Sequence, residues 1–189
     1  MIKGFSLKSK QQSSSEESAP TPSQNSSVAL LRIQKDLSDL QLPSNITLVF
    51  PDPKDLLNFE VYIVPTEGFY KNGQFRFLFK FKHMYPYVPP KVQCMQRVFH
   101  PNIDLQGNVC LNILREDWNP VLSLSAIIFG LQFLFQEPNT DDPLNHEAAD
   151  LLIRNTNDFF RVVSSTMNGY SYNGNSYDNV LSFRKKGNY

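Results

Sequence analysis

The chain has 189 residues, 41% hydrophobic and 13% aromatic, enough for one proper core and hardly two. Its 18 Lys and Arg balance 18 Asp and Glu, so no overall field draws it onto nucleic acid or an anionic membrane. Two cysteines, Cys94 and Cys110, form no C-x-x-C and join no Cys/His cluster at ligand spacing, which argues against a metal site. The N-terminus shows no signal-peptide core, and no run approaches the ~20 apolar residues of a membrane helix. The reading is an intracellular soluble protein, cytoplasmic or nuclear, with reduced thiols.

Residues 1–10 space Ile2, Phe5 and Leu7 among lysines, whereas 11–27 are rich in Ser, Gln, Pro and Thr. The second stretch cannot bury enough surface to offset its ordering entropy and reads as a tether. Apolar side chains at its free end suggest a docking peptide; a frayed tail is the plainer alternative. From Ser26/Ser27 the pattern is helical, with Leu30, Ile33, Leu37 and Leu40 on one stripe and Pro43 closing the segment.

Strands are predicted over 46–50, 59–64, 75–81 and 91–95. The third alternates most cleanly, with Phe75, Phe77, Phe79 and Phe81 on one face. Short connections without intervening helices predict an antiparallel meander with one face on a helical core. Residues 85–90, Y-P-Y-V-P-P, are too proline-rich for strand or helix and read as a rigid loop presenting Tyr85 and Tyr87. Ser123 caps an apolar helix over 124–135, hydrophobic nearly all round and therefore read as central and buried. Two further helices are predicted at 145–154 and 156–167, then a Tyr/Asn/Gly-rich tail.

Chemistry concentrates between Phe99 and Trp118. Cys94 lies mid-strand and reads as a buried, inert thiol. Cys110 follows a Gly107-Asn108 turn in a stretch too often interrupted by polar residues for a plain strand. A free thiol of pKa ~8.5 is a few per cent thiolate at neutral pH, enough to attack an activated acyl group without a strong base. His100 is either the base of a cysteine hydrolase or a loop histidine satisfying backbone groups; no nucleophile elbow or papain-like context accompanies it.

His100-Pro101-Asn102, Cys110-Leu111-Asn112-Ile113-Leu114 and Trp118-Asn119-Pro120 resemble the ubiquitin-conjugating enzyme family. So do Y-P-Y-V-P-P-K-V from Tyr85 and E-P-N-T-D-D-P-L from Glu137, in one unbroken order over about residues 27–168. The resemblance implies an α+β ubiquitin-conjugating fold: an N-terminal helix, a four-stranded antiparallel meander, a central helix and two C-terminal helices. It also divides the chain into a docking extension (1–26), a catalytic domain (27–168) and a tail (169–189).

By the same resemblance, Cys110 carries a ubiquitin-like protein as a thioester and passes it to a lysine. Asn102 then stabilises the oxyanion or braces the loop, Asp142 orients the lysine, Asn139 belongs to the same gate, and His100 and Pro101 are structural. Leu111, Asn112 and Leu144 shape the cleft. Tyr87, Pro120 and Val121 face a ligase above Trp118, although Tyr87 also suits a plain cover for the core. No bound cofactor is implied; ATP is used by the upstream activating enzyme.

Met1-Ile2-Lys3 and Phe5-Ser6-Leu7-Lys8 resemble the branch that handles the Nedd/Rub-type modifier of cullins, and so do Asn112 and Arg115-Glu116-Asp117-Trp118. In that branch Phe5 and Leu7 dock on the heterodimeric activating enzyme, while Met1, acetylated, and Ile2 enter a co-ligase beside a RING-type ligase and its cullin substrate. A ubiquitin-conjugating enzyme proper is the alternative. Gly4, Thr140 and Val121 depart from the branch's pattern and imply a softer docking helix, a less stiff gate and a bulkier ligase surface.

Overall fold

The computed structural model describes residues 22–182. Helix α1 (Pro22–Ser38) begins ahead of the Ser26/Ser27 start that the sequence suggested. Proline suits a first helical position, because its missing N–H has no partner there in any case. The inward stripe differs as well. Ala29 and Ile33 are fully buried with Leu37 and Leu40 packed behind them, while Leu30 faces outward. Ala29 belongs to the buried core cluster, and α1 packs on the second helix.

Strands β1 (Ile46–Val49), β2 (Asn58–Ile63), β3 (Phe75–Lys80) and β4 (Lys91–Cys94) form one antiparallel sheet in the order β1-β2-β3-β4. Pairing Val61 with Phe77 and Phe77 with Cys94 keeps Phe59, Val61, Ile63, Phe75, Phe77, Phe79, Val92 and Cys94 on the core face. The alternation read in β3 therefore extends across the sheet, since the side-chain period of a strand is two. On the outer face Tyr62 donates to Glu60 at 2.7 Å, and Arg76 lies 3.9 Å from the same carboxylate.

Helix α2 (Leu124–Gln136) covers the sheet, its first turn capped by Ser123, which accepts from Ala126 N–H. Phe135 stacks on Phe75 with ring centroids 4.1 Å apart. Only one face of α2 is buried, however: Leu124, Ile127, Ile128, Leu131, Leu134 and Phe135 point inward, while Phe129 and Phe133 are 43% and 57% exposed. A helix lying on one side of a single sheet has no second layer to cover its far face, which composition alone does not reveal.

Helices α3 (His146–Arg154) and α4 (Thr156–Met167) pack on each other, with Phe159 fully buried against Phe69 and Phe99. Residues 170–182 are laid onto this core. Gln74 N–H donates to Val180 O and Arg97 N–H to the Asp178 carboxylate, and Tyr177 and Val180 are buried.

Tyr85 is a correction to the exposed-loop reading: it is fully buried, and only Tyr87 (72% exposed) projects. The Tyr85 hydroxyl donates to Asp36 Oδ2 at 2.7 Å, so the ring is buried with its polar end satisfied. Asp36 also pairs with Arg32 at 3.1 Å, and Arg32 donates on to the carbonyls of Pro120 (2.6 Å) and Leu122 (2.7 Å). Helix α1 thereby fixes both loops named for the ligase surface.

Candidate active site

The turn that carries Cys110 is built on the end of β4. Gly107 has φ +82°, and a Cβ there would lie 2.0 Å from the Cys94 carbonyl oxygen, so only glycine lets the chain approach this closely. Cys94 N–H donates to Gly107 O at 2.8 Å across the same contact. Asp104 organises the turn, accepting from Gln106 and Asn108 backbone N–H at 2.9 and 2.8 Å. The returning strand is then fixed by Cys110 N–H donating to Asn102 O at 2.8 Å.

The His100-Pro101-Asn102 triplet spends its polar groups on its neighbours. Asn102 N–H donates to His100 Nδ1 at 2.9 Å, which leaves the proton on Nε2, and Nε2–H donates to Leu134 O at 2.9 Å. Both ring nitrogens are thus committed, and complete burial pushes the imidazole pKa down to about 4. His100 ties the loop to α2 and makes no hydrogen bond to Cys110. The Cys–His pair that a hydrolase of the papain type requires is not formed.

The Asn102 side chain donates to Asn139 O at 2.7 Å and accepts from Asn139 N–H at 2.9 Å. Pro101 O accepts from both Leu144 N–H and Asn145 N–H at 2.9 Å. One triplet therefore pins the 139–145 loop at both ends. Within the loop, Asn139 Oδ1 accepts from Asp141 N–H at 2.8 Å, a local turn that leaves Asp141 exposed. Asp142 lies between the two anchors and reaches the cysteine.

Cys110 is only 5% exposed, and its thiol donates to Asp142 Oδ2 with Sγ 3.3 Å away. Arg115 Nη1 donates to Sγ at 3.0 Å and to Asp142 Oδ2 at 3.1 Å. Burial raises the thiol pKa, and the Asp142 hydrogen bond adds to it; Arg115 opposes both. Asp142 and Arg115 are themselves half-exposed or more, so the buried sulfur lies beneath two side chains that reach solvent.

Other sequence candidates fall around this centre. Leu111 passes beneath α2, where a Cβ at Gly130 would meet its Cδ2 at 3.2 Å. Asn112 is exposed and opens the 3-10 turn Asn112–Leu114, and Leu144 is 39% exposed at the far end of the loop. Tyr87 and Val121 (86% exposed) stand out on loops joined by Trp118 Nε1–H donating to Pro86 O at 2.9 Å, with Pro120 half-buried between them. Met1, Ile2, Phe5 and Leu7 lie outside the described residues. Arg115 was read only as part of a branch pattern. Its contact with Cys110 depends on the 3-10 turn, which residue types alone did not reveal.

Comparison with known proteins bears on this geometry directly. The family described as "Ubiquitin-conjugating enzyme" matches residues 32–167. A "Nedd8-conjugating enzyme UbcE2M" of Drosophila melanogaster is 55% identical over 169 residues, covering 89% of this chain and 92% of that one. A "NEDD8-conjugating enzyme UBC12" of Yarrowia lipolytica is 50% identical over 181 residues, covering 96% and 99%. The solved structure of S. cerevisiae Ubc12 superposes with a TM-score of 0.78 at 47% identity, covering 84% of this chain and 92% of that one. An antiparallel four-stranded meander roofed by one helix agrees with these matches: the chain belongs to the ubiquitin-conjugating enzyme family.

Proposed function

We propose that this chain accepts NEDD8 from its activating enzyme as a thioester on Cys110 and transfers it to a lysine. One observation carries the chemistry: a free cysteine thiol held between a carboxylate and a guanidinium that both reach solvent, with no histidine bonded to it. The choice of modifier is supported by relatives named for NEDD8 that are about half identical over nearly the whole chain. A thioester is already a good acyl donor, so the difficulty lies with the amine. At pKa ~10.4 only about one lysine in a thousand is uncharged at neutral pH.

Asp142, above the sulfur, orients that amine and accepts its proton. Positioning and desolvation near the thioester lower the amine's pKa and add a proximity contribution. Asn102 acts first as the brace of the 139–145 loop, because its amide is committed to Asn139; the second N–H of that amide is the donor offered to an oxyanion. Phe5 and Leu7 dock on the activating enzyme, which uses the ATP, and Met1 and Ile2 on a co-ligase. Tyr87, Pro120 and Val121 meet a RING-type ligase, and cullins in the cytoplasm or nucleus are the substrates.

The test is a charging reaction with ATP, NEDD8 and its activating enzyme, read on a non-reducing gel. Ubiquitin with its own activating enzyme runs alongside. A reductant-sensitive NEDD8 adduct is expected for the native chain and for Cys94→Ala, and none for Cys110→Ala. Loss in Cys94→Ala with retention in Cys110→Ala would overturn the assignment, and preferential charging by ubiquitin would replace the modifier.

A further inference from the structure

Arg115 is placed with care. The 3-10 turn Asn112–Leu114 reverses the chain just after Cys110, and Arg115 N–H closes it on Asn112 O at 2.9 Å. Glu116 Oε2 lies 3.6 Å from Arg115 Nε and holds one edge of the guanidinium. On the opposite edge, Nη1 lies 3.0 Å from Cys110 Sγ and 3.1 Å from Asp142 Oδ2, one contact for each of its two hydrogens.

The charged groups facing Cys110 among the described residues are Asp142, from the 139–145 loop, and Arg115, beside the turn. A sulfur this buried meets little water to stabilise an anion, and the Asp142 carboxylate disfavours one further. Arg115 is the contact that favours the thiolate. Its own charge is secure, because a guanidinium keeps its proton in proteins and bonds two acceptors in one plane.

We propose that Arg115 is a catalytic residue of this chain, holding the Cys110 sulfur as a thiolate in both half-reactions. The proposal rests on the thioester reading above. In charging, the Cys110 thiol gives its proton to water, Asp142 staying a carboxylate, and Sγ, as the thiolate beside Arg115, attacks the carbonyl carbon of the incoming thioester. The bond from that carbon to the activating enzyme's sulfur breaks, and the departing thiolate keeps the electron pair and takes a proton from water. In transfer, the lysine nitrogen attacks the same carbon and the carbon–Sγ bond breaks. Sγ keeps the pair as a thiolate beside Arg115, and the proton lost by the nitrogen passes to Asp142.

Charging also changes what Asp142 does. An acylated Sγ has no proton to donate, so Oδ2 loses its thiol partner while Arg115 still holds it in place. The carboxylate is then free to accept from an amine. Uncharged enzyme thus keeps its lysine-orienting group occupied, and the thioester releases it without any movement of the backbone.

The test reads iodoacetamide alkylation of Cys110 against pH by peptide mass spectrometry, in the native chain, Arg115→Gln and Arg115→Lys. Removing the guanidinium is expected to raise the alkylation inflection by about one pH unit, the scale of one charge-assisted hydrogen bond at a half-exposed site. The lysine variant should fall between. Discharge of pre-formed thioester to free lysine is expected to slow about ten-fold in Arg115→Gln. An unmoved inflection in Arg115→Gln would overturn the role. A native chain that never charges would instead overturn the thioester reading, and the alkylation arm would still decide whether Arg115 holds the thiolate.

Discussion

Cys94 and Cys110 are nearly equal in exposure, 3% and 5%, yet their surroundings are opposite. Cys94 ends β4 on the core face, where its thiol finds only the Gln96 carbonyl at 3.4 Å, and burial pushes its pKa up to about 12. Cys110 has a carboxylate and a guanidinium within reach. Its pKa is also raised by burial, but Arg115 offsets part of the effect. The contrast teaches that the partners of a sulfur, more than its accessible area, decide how its charged form is treated.

The broadest way to break this contrast is direct labelling. Near pH 8, iodoacetamide should modify Cys110 at least about a hundred-fold faster than Cys94, given the higher pKa and core position of the latter. Comparable rates in the folded protein would mean that β4 opens readily and that the two environments are not distinct.

A second test concerns the frame around Cys110. His100 has a folded pKa of about 4 against an ordinary 6.5. Below pH 6.5 the unfolded chain takes a proton at this site that the folded chain refuses. Stability is therefore full above about pH 6.5 and falls as the pH drops toward 4, by about 3 kcal/mol in all. Urea denaturation at several pH values should show this slope, and His100→Gln should flatten it. An equal slope in the variant would place the acid sensitivity elsewhere.

Asn102→Ala leaves the Asn139 N–H and C=O without partners and should cost about 2 kcal/mol. Amide exchange should quicken across 139–145 while β4 and Cys94 stay protected; uniform loosening would mean that the triplet supports the whole core. The smallest effect expected is at Asp142. Asp142→Ala should still charge but discharge to lysine about ten-fold more slowly, the scale of one lost amine contact. Because Asp142 raises the thiol pKa, its removal should also lower the alkylation inflection of Cys110 and leave Cys94 unmoved. Failure to charge at all would show that its role lies in the first half-reaction.

Much of the scaffold was legible in the residues. The Phe75–Phe79 alternation, the Ser123 cap and the Gly107 turn are local signals, and each reappears in the structure within a residue or two. The family resemblance of the linked motifs is borne out by the match over residues 32–167. Tyr85 and the outer face of α2 were misread for one reason. Burial there depends on a partner brought from far along the chain, Asp36 for the tyrosine, or on the lack of a second layer over Phe129 and Phe133.

The sequence by itself determined the elements and their order and singled out Cys110, because periodicity, caps and short motifs act between near neighbours. Only the tertiary structure decided what surrounds the sulfur. Asp142 lies 32 positions from Cys110, and the triplet that places it pins both ends of its loop. Arg115 is near in sequence, but it faces the sulfur only because a 3-10 turn folds it back. Hydrogen bonds across such separations depend on where the packed elements leave the loops, and no local pattern of residues encodes that distance.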